Sequence, residues 1–216
     1  MRISLSLLSV AVLLSIASPA RADYFVWQDE KTGASFSYPD TWQMVNNADP
    51  DDIITVMPPS GRATASCRLR ARNDERYMIY PVEFSSTIQR IDYSRDFWNA
   101  YLTEYNNPYI MDFQDNAGLG RGFASYATAG FESAVKGPMM SRRAVLSAAL
   151  YNGTAYILEC SCHADAFAEW KQPFMSIAKS VDFRKAHHEL EVGNYRNFLA
   201  DPRIEFEGRN HSYTSY

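Results

Sequence analysis

Residues 153–183 read GTAYILECSCHADAFAEWKQPFMSIAKSVDF, and the fold turns on this stretch. Thr154 to Cys162 alternates as a strand, with Tyr156, Leu158, Cys160 and Cys162 on one face and Ala155, Ile157, Glu159 and Ser161 on the other. Residues from about Ala164 to Ser180 then read as a helix. Phe167, Trp170, Phe174, Ile177 and Val181 recur at spacings of three and four, which places them on one stripe. Such a stripe needs a sheet to lie on, and Trp170 is read as part of that core. Pro173 lacks a backbone donor and crowds the preceding turn, so a kink or a second helix starting there is expected.

Working back from Gly153, the Asn152-Gly153 pair is a strong hairpin signal, because both residues tolerate positive φ. Strands are predicted at Ser141 to Tyr151, Gly122 to Phe131 and Tyr109 to Phe113, which with Thr154 to Cys162 make an antiparallel meander. The glycine-rich run Gly118 to Gly122 lies between two of these strands. No helix follows it to receive a phosphate, so it is read as a turn. Ser94 is the expected N-cap of a helix from Arg95 to Tyr105, whose apolar face is Phe97, Trp98, Tyr101, Leu102 and Tyr105, with Asn106-Asn107-Pro108 ending it. From Asn73 to Tyr93 the pattern is mixed.

Nearer the start, Tyr24 to Trp27 and Ala34 to Tyr38 form a predicted hairpin, closed by a turn at Pro39-Asp40-Thr41. Gln43 to Val45, Ile53 to Met57 and Ala63 to Arg70 follow as strands. Ala65, Cys67 and Leu69 share one face of the last, so Cys67 is expected to point inward. Arg68, Arg70 and Arg72 alternate on the opposite face and are read as a solvated surface.

The first 22 residues read as an export signal: Arg2, an apolar run from Leu5 to Ile16, and the small-x-small site Ala20-Arg21-Ala22. The run is short of the roughly 20 residues that span a bilayer. Cleavage after Ala22 is expected to leave a soluble periplasmic or secreted chain with no membrane span. The full sequence carries 21 basic and 25 acidic residues. Without Arg2 and Arg21 the balance is more acidic still, which disfavours nucleic acid as a partner.

The opening Phe36-Ser37-Tyr38-Pro39-Asp40-Thr41-Trp42 resembles the "f-x-Y-P-x-x-W" start of the Mog1/PsbP-like superfamily. The close is similar too: Gly153-Thr154-Ala155-Tyr156, a helix, then Ser180-Val181-Asp182-Phe183. The resemblance covers most of residues 23–183. It implies an α+β fold, an α/β/α sandwich with a central antiparallel sheet of about six strands plus an N-terminal hairpin. It also implies a binding or assembly role, since family members include a photosystem II extrinsic subunit, a Ran-binding nuclear protein and bacterial envelope proteins. Tyr38, Pro39 and Trp42 are read as turn and core. Residues 184–216 form a polar tail, with at most a helical turn at Asn194 to Leu199 and an irregular end from Asp201.

Three cysteines in an oxidising compartment permit one disulfide. Cys67 is expected to pair with either Cys160 or Cys162, leaving one buried thiol. A thiol enzyme or redox factor using Cys160, Cys162 and His163 is the alternative, with no oxyanion site to support it. A carrier of a small apolar ligand is a third reading. No metal site is expected: His187, His188, Glu189, Glu191 and His211 read as a solvated tail, and Asp49-Pro50-Asp51-Asp52 lacks EF-hand order and reads as an acidic loop. No cofactor motif is present. The expected function is therefore a non-enzymatic exported protein that docks onto a protein of the cell envelope. Tyr195, Phe198, Tyr213 and Tyr216 of the tail are candidate contacts.

Overall fold

A computed structural model of the chain describes residues 23–47, 49–59, 64–74, 85–120, 122–134, 137–151 and 153–183. Strands β1 (Tyr24–Gln28) and β2 (Ser35–Pro39) form a two-stranded hairpin. A seven-stranded antiparallel sheet contains β3 (Gln43–Val45), β4 (Asp52–Met57), β5 (Ser66–Asn73), β6 (Asn106–Leu119), β7 (Gly122–Ala134), β8 (Met139–Tyr151) and β9 (Thr154–His163). Its order is β3-β4-β5-β9-β8-β7-β6. Helices α1 (Ser85–Asp92) and α2 (Arg95–Tyr101) come between β5 and β6, and α3 (Phe167–Ser180) follows β9.

Two separate cores sit on the two faces of this sheet. On one face Tyr156, Leu158, Cys160 and Cys162 of β9 pack with Cys67 and Leu69 of β5, with Phe36, Tyr38 and Trp42, and with Phe167, Phe174 and Ile177 of α3. On the other, Ala155 and Ile157 of β9 pack with Ala127 and Phe131 of β7, Leu146 of β8, and Trp98, Tyr101 and Leu102. The two side-chain sets of β9 thus divide as their alternation predicts. Small residues at Ala127, Ala129, Ala144 and Ala148 let the aromatic rings of α2 sit close to the strands.

The sheet expected to hold about six strands has seven, with the three-residue β3 at one edge. Other details differ. Helix α3 is continuous through Pro173, so no second helix starts there. Phe174, Met175, Ile177 and Ala178, all buried just beyond it, offset the one backbone bond that proline removes. Trp170 is partly buried at the rim of its core, against Trp42 and Phe174 with ring centroids at 5.8 and 5.9 Å. Ser94 holds the cap position of α2 in extended backbone, but its hydroxyl makes no capping bond. Leu102–Glu104 tighten into a 3-10 turn, and the helical stretch ends ahead of Asn106-Asn107-Pro108, which begin β6.

Helix α1 lies within the stretch whose pattern is mixed. Its Ile91 is exposed, and a buried polar side chain holds it instead. Gln89 Nε2 donates to the Ala148 carbonyl at 2.9 Å, and Gln89 Oε1 accepts from the Leu150 amide at 2.6 Å.

The chain's last described segment locks the hairpin to the sheet. Ser35 and Asp182 exchange backbone hydrogen bonds of 2.8 and 3.0 Å, and the Ser180 hydroxyl accepts from the Ser37 amide and donates to its carbonyl, each at 3.0 Å. The β6–β7 turn closes against the same segment, as the Gly120 amide donates to Ala178 O at 2.8 Å. Gly120 has φ +57°, and a Cβ there would lie 1.5 Å from the Val181 carbonyl oxygen. Glycine is required at this turn by backbone contact.

Gly120→Ala is therefore expected to lower stability by about 3 kcal/mol or more. Urea denaturation checks this, and an unchanged midpoint would contradict the close approach.

Candidate functional site

Cys67 and Cys160 stand directly opposite each other in the β5–β9 register and form a disulfide. Cys162 keeps a buried thiol, which burial pushes up to about 11 despite the nearby Arg142 and Arg143. His163 falls on the opposite face of β9 by strand parity, so the two do not converge. The His163 ring instead accepts the Asp165 amide at 3.3 Å and caps the turn Ala164–Ala166. With Cys160 cross-linked and Cys162 buried, the proposed thiol constellation is not assembled. Tyr195, Phe198, Tyr213 and Tyr216, and the tail's histidines and carboxylates, lie outside the described residues.

The arginines of β5 correct the expectation of a solvated face. Arg70 is 2% exposed, and Arg68 is largely covered; Arg72 alone matches the expectation, half-exposed beside Asp51. Arg68 lies opposite Glu159 in the β5–β9 register, and Glu159 is itself buried. Arg68 donates to the Glu159 carboxylate at 2.9 Å, and the phenols of Tyr101 and Tyr105 donate to it at 2.7 and 2.8 Å. A bond joins Arg68 to Tyr105 as well. Arg70 donates to Asp52 at 2.9 Å and to Asp49 at 2.7 Å, with its guanidinium over the Tyr101 ring. The acidic loop thus supplies carboxylates to arginines.

Burial alone would raise the Glu159 pKa, but Arg68 and the hydrogen-bonding phenols outweigh it and hold the carboxyl below its ordinary range. Tyr101 and Tyr105 are pushed far up by burial and by Glu159, so both stay protonated as donors. Arg142, also buried, donates to Ser161 Oγ at 2.9 Å and to Thr64 O at 3.0 Å. These groups form a fixed network that ties the end of α2 to β5 and β9. The sequence clue was Glu159, a carboxylate amid the apolar residues of β9, since a buried charge needs a partner.

A different place offers groups to a partner. Strand β1 exposes Tyr24 (62%), Phe25 (62%) and Val26 (69%). The Ser35 and Ser37 backbones bond away from β1, to Asp182 and Ser180, so their cross-strand partners Gln28 and Val26 have no ladder bonds to β2. By the same alternation Tyr24, Val26 and Gln28 all present their backbone amides and carbonyls outward. The edges of the large sheet are protected differently: β3 is three residues long, and β6 carries Pro108 and three register shifts. Over its five residues β1 has no proline, charge or bulge.

The antiparallel sheet, its N-terminal hairpin and the closing helix with Val181-Asp182-Phe183 give the arrangement expected from the sequence motifs. No protein-family model matches the chain, and no curated protein matches it. Solved structures of similar outline include cyanobacterial PsbP (CyanoP) from Synechocystis sp. PCC 6803, at TM-score 0.49 and 15% identity over 79% of this chain and 98% of that one. The Saccharomyces cerevisiae Ran-binding protein Mog1p has TM-score 0.44 and 6% identity, over 76% and 96%. LpqN, involved in cell envelope biogenesis of Mycobacterium tuberculosis, has TM-score 0.42 and 10% identity, over 76% and 92%. These likenesses concern outline alone and bring no residue role or partner to this chain.

Glu159→Gln should cost about 2 kcal/mol at neutral pH, because it removes the buried carboxylate that Arg68, Tyr101 and Tyr105 share and leaves Arg68 only the more exposed Glu104 and Asp49. The depressed pKa means that the Glu159 contribution is whole above the ordinary carboxylate value of about 4.5 and is lost as pH falls through its folded pKa. Stability measured from pH 7 to 3 should therefore fall less steeply in Glu159→Gln than in the parent; parallel curves would contradict this placement of the charge. Thiol titration of the oxidised protein in denaturant should find one free thiol, from Cys162, and three would refute the bridge.

Proposed function

We propose that this is a non-enzymatic exported binding or assembly protein, which docks onto another cell-envelope protein by accepting an extended strand of it along β1. In this reading residues 1–22 are a signal peptide removed after Ala22, 23–183 form the binding domain and 184–216 are an appended tail. The observation that carries it is the β1 edge, where exposed Tyr24, Phe25 and Val26 accompany outward-facing backbone donors and acceptors. Strand addition uses such an edge: the main chain supplies affinity, and the alternating side chains supply selectivity. Acidic residues stand at both ends of β1, Asp23 and Asp40 at one and Glu30 at the other, where the neighbouring Asp29 carboxylate is taken up by Thr32. They favour a partner segment that is apolar on one face and basic at its two ends. The buried Cys67–Cys160 bridge suits an oxidising compartment outside the cytoplasm.

A photo-crosslinking residue placed at Tyr24 in cells, with the protein at its native level, tests the reading. One discrete adduct is expected, joined through a strand-forming segment flanked by Lys or Arg, and the same group at exposed Ile91 should not form it. Val26→Pro removes an outward donor without touching the β1–β2 ladder, so it should abolish the adduct while leaving the melting temperature nearly unchanged. An adduct that survives Val26→Pro, or that forms equally from position 91, would overturn strand addition at β1.

A further inference from the structure

The β1 edge stands over part of the large sheet, and its place there is fixed by the chain. Asp40, Thr41 and Trp42 alone separate the end of β2 from the start of β3, so the hairpin lies toward the β3 edge of the sheet and away from β6. The other side of β2 is held by Ser180 and Asp182 at the end of α3. Strand β1 is therefore the outermost element of the layer formed by α3 and the hairpin, as β3 is of the sheet beneath it.

Register tells which side chains face the space between these two edges. Phe25 stands opposite Tyr38, and Met44 stands opposite Val56. Tyr38 and Val56 are buried in one core, and cross-strand partners project to the same side. Phe25 thus points from the hairpin toward the sheet, and Met44 points from the sheet toward the hairpin layer. Phe25 is nevertheless 62% exposed and Met44 60%. Trp27, opposite Phe36, is only partly covered. The core on this face ends in an open apolar rim beside the outward backbone groups of Tyr24, Val26 and Gln28.

We propose that this rim reads the strand accepted at β1: the segment carries apolar side chains at the alternate positions that face the sheet, and they pack on Phe25, Trp27 and Met44. The proposal rests on β1 being the docking edge. It makes Met44, on a separate element, the residue that selects the partner's side-chain pattern. A strand bonded to β1 stands about 4.8 Å outboard of it, and packed layers lie about 10 Å apart, a gap that side chains from the two layers fill. Its residues beside Phe25 and Trp27 face the sheet and those beside Tyr24, Val26 and Gln28 face solvent, whichever way the segment runs. A charged side chain at a sheet-facing position would lose water over an apolar floor. The unbranched thioether of Met44 adapts to neighbours of different shape, so the floor demands apolar character more than one particular residue.

A photo-crosslinking residue at Met44, in cells and at native protein level, should capture the same partner segment as the one at Tyr24. Mass spectrometry should place the two sets of links on alternate residues of that segment, since Met44 meets its sheet-facing side chains and Tyr24 the others. Met44→Asp should reduce the Tyr24 adduct at least tenfold at an unchanged melting temperature, whereas Met44→Leu and Ile91→Asp should leave it intact. A Tyr24 adduct undiminished in Met44→Asp would overturn the floor while the docking edge stands. So would Met44 links that fall on another protein or on the same residues as the Tyr24 links. Absence of any Tyr24 adduct in the parent chain would overturn the docking edge itself, and this inference with it.

Discussion

The seam between β5 and β9 is the constraint on which the other elements depend. It joins the N-terminal strands β3-β4-β5 to the meander β6-β7-β8-β9, two groups separated in sequence by the helices of one face. Successive positions of the seam are fixed by different chemistry on opposite faces. Cys67 is cross-linked to Cys160 beneath α3, and the adjacent pair, Arg68 and Glu159, is joined by an ion pair beside α2. A slip of one residue would place a charge in the α3 core and a thiol among the arginines, so the register has no near competitor.

The two fasteners act on different states of the chain. The disulfide spans 93 residues of sequence, and in the chain-entropy view it restricts the unfolded ensemble by about 4 to 5 kcal/mol. The ionic network acts in the folded state and adds less net stability than its bonds suggest, because its buried members, Arg70, Asp52 and Glu159, have lost their water. Its strength lies in specificity: Glu159 accepts from Arg68, Tyr101 and Tyr105 at once, which ties the end of α2 and the turn after it to β5 and β9.

How much of this was legible in the sequence depended on whether a residue's partner was nearby in the chain. Alternation in Thr154 to Cys162 and the stripe from Phe167 to Val181 are local patterns, and both faces of β9 and the packing of α3 follow from them. Asn152-Gly153 marked its hairpin for the same reason. Arg68 and Arg70 misled because alternation shows that they share a face but not what covers it. Their partners, Glu159, Tyr101 and Asp52, come from three other elements. Helix α1 was hidden because a glutamine bonded to a distant strand's backbone leaves no apolar period. The choice between Cys160 and Cys162 could be settled only by register, which no single strand contains. The β1 edge was visible as an apolar strand, but its exposure depends on where Ser180 and Asp182 meet β2.

The position of β9 within the chain also bears on the history of the molecule. Strand β5 is complete at Asn73, yet its neighbour in the sheet arrives only with residues 154–163. During synthesis, the first three strands of the sheet therefore wait with a long edge unpaired until most of the domain has emerged. This high contact order makes for slow acquisition of structure. Once β9 has joined β5, the Cys67–Cys160 bridge makes the late pairing permanent.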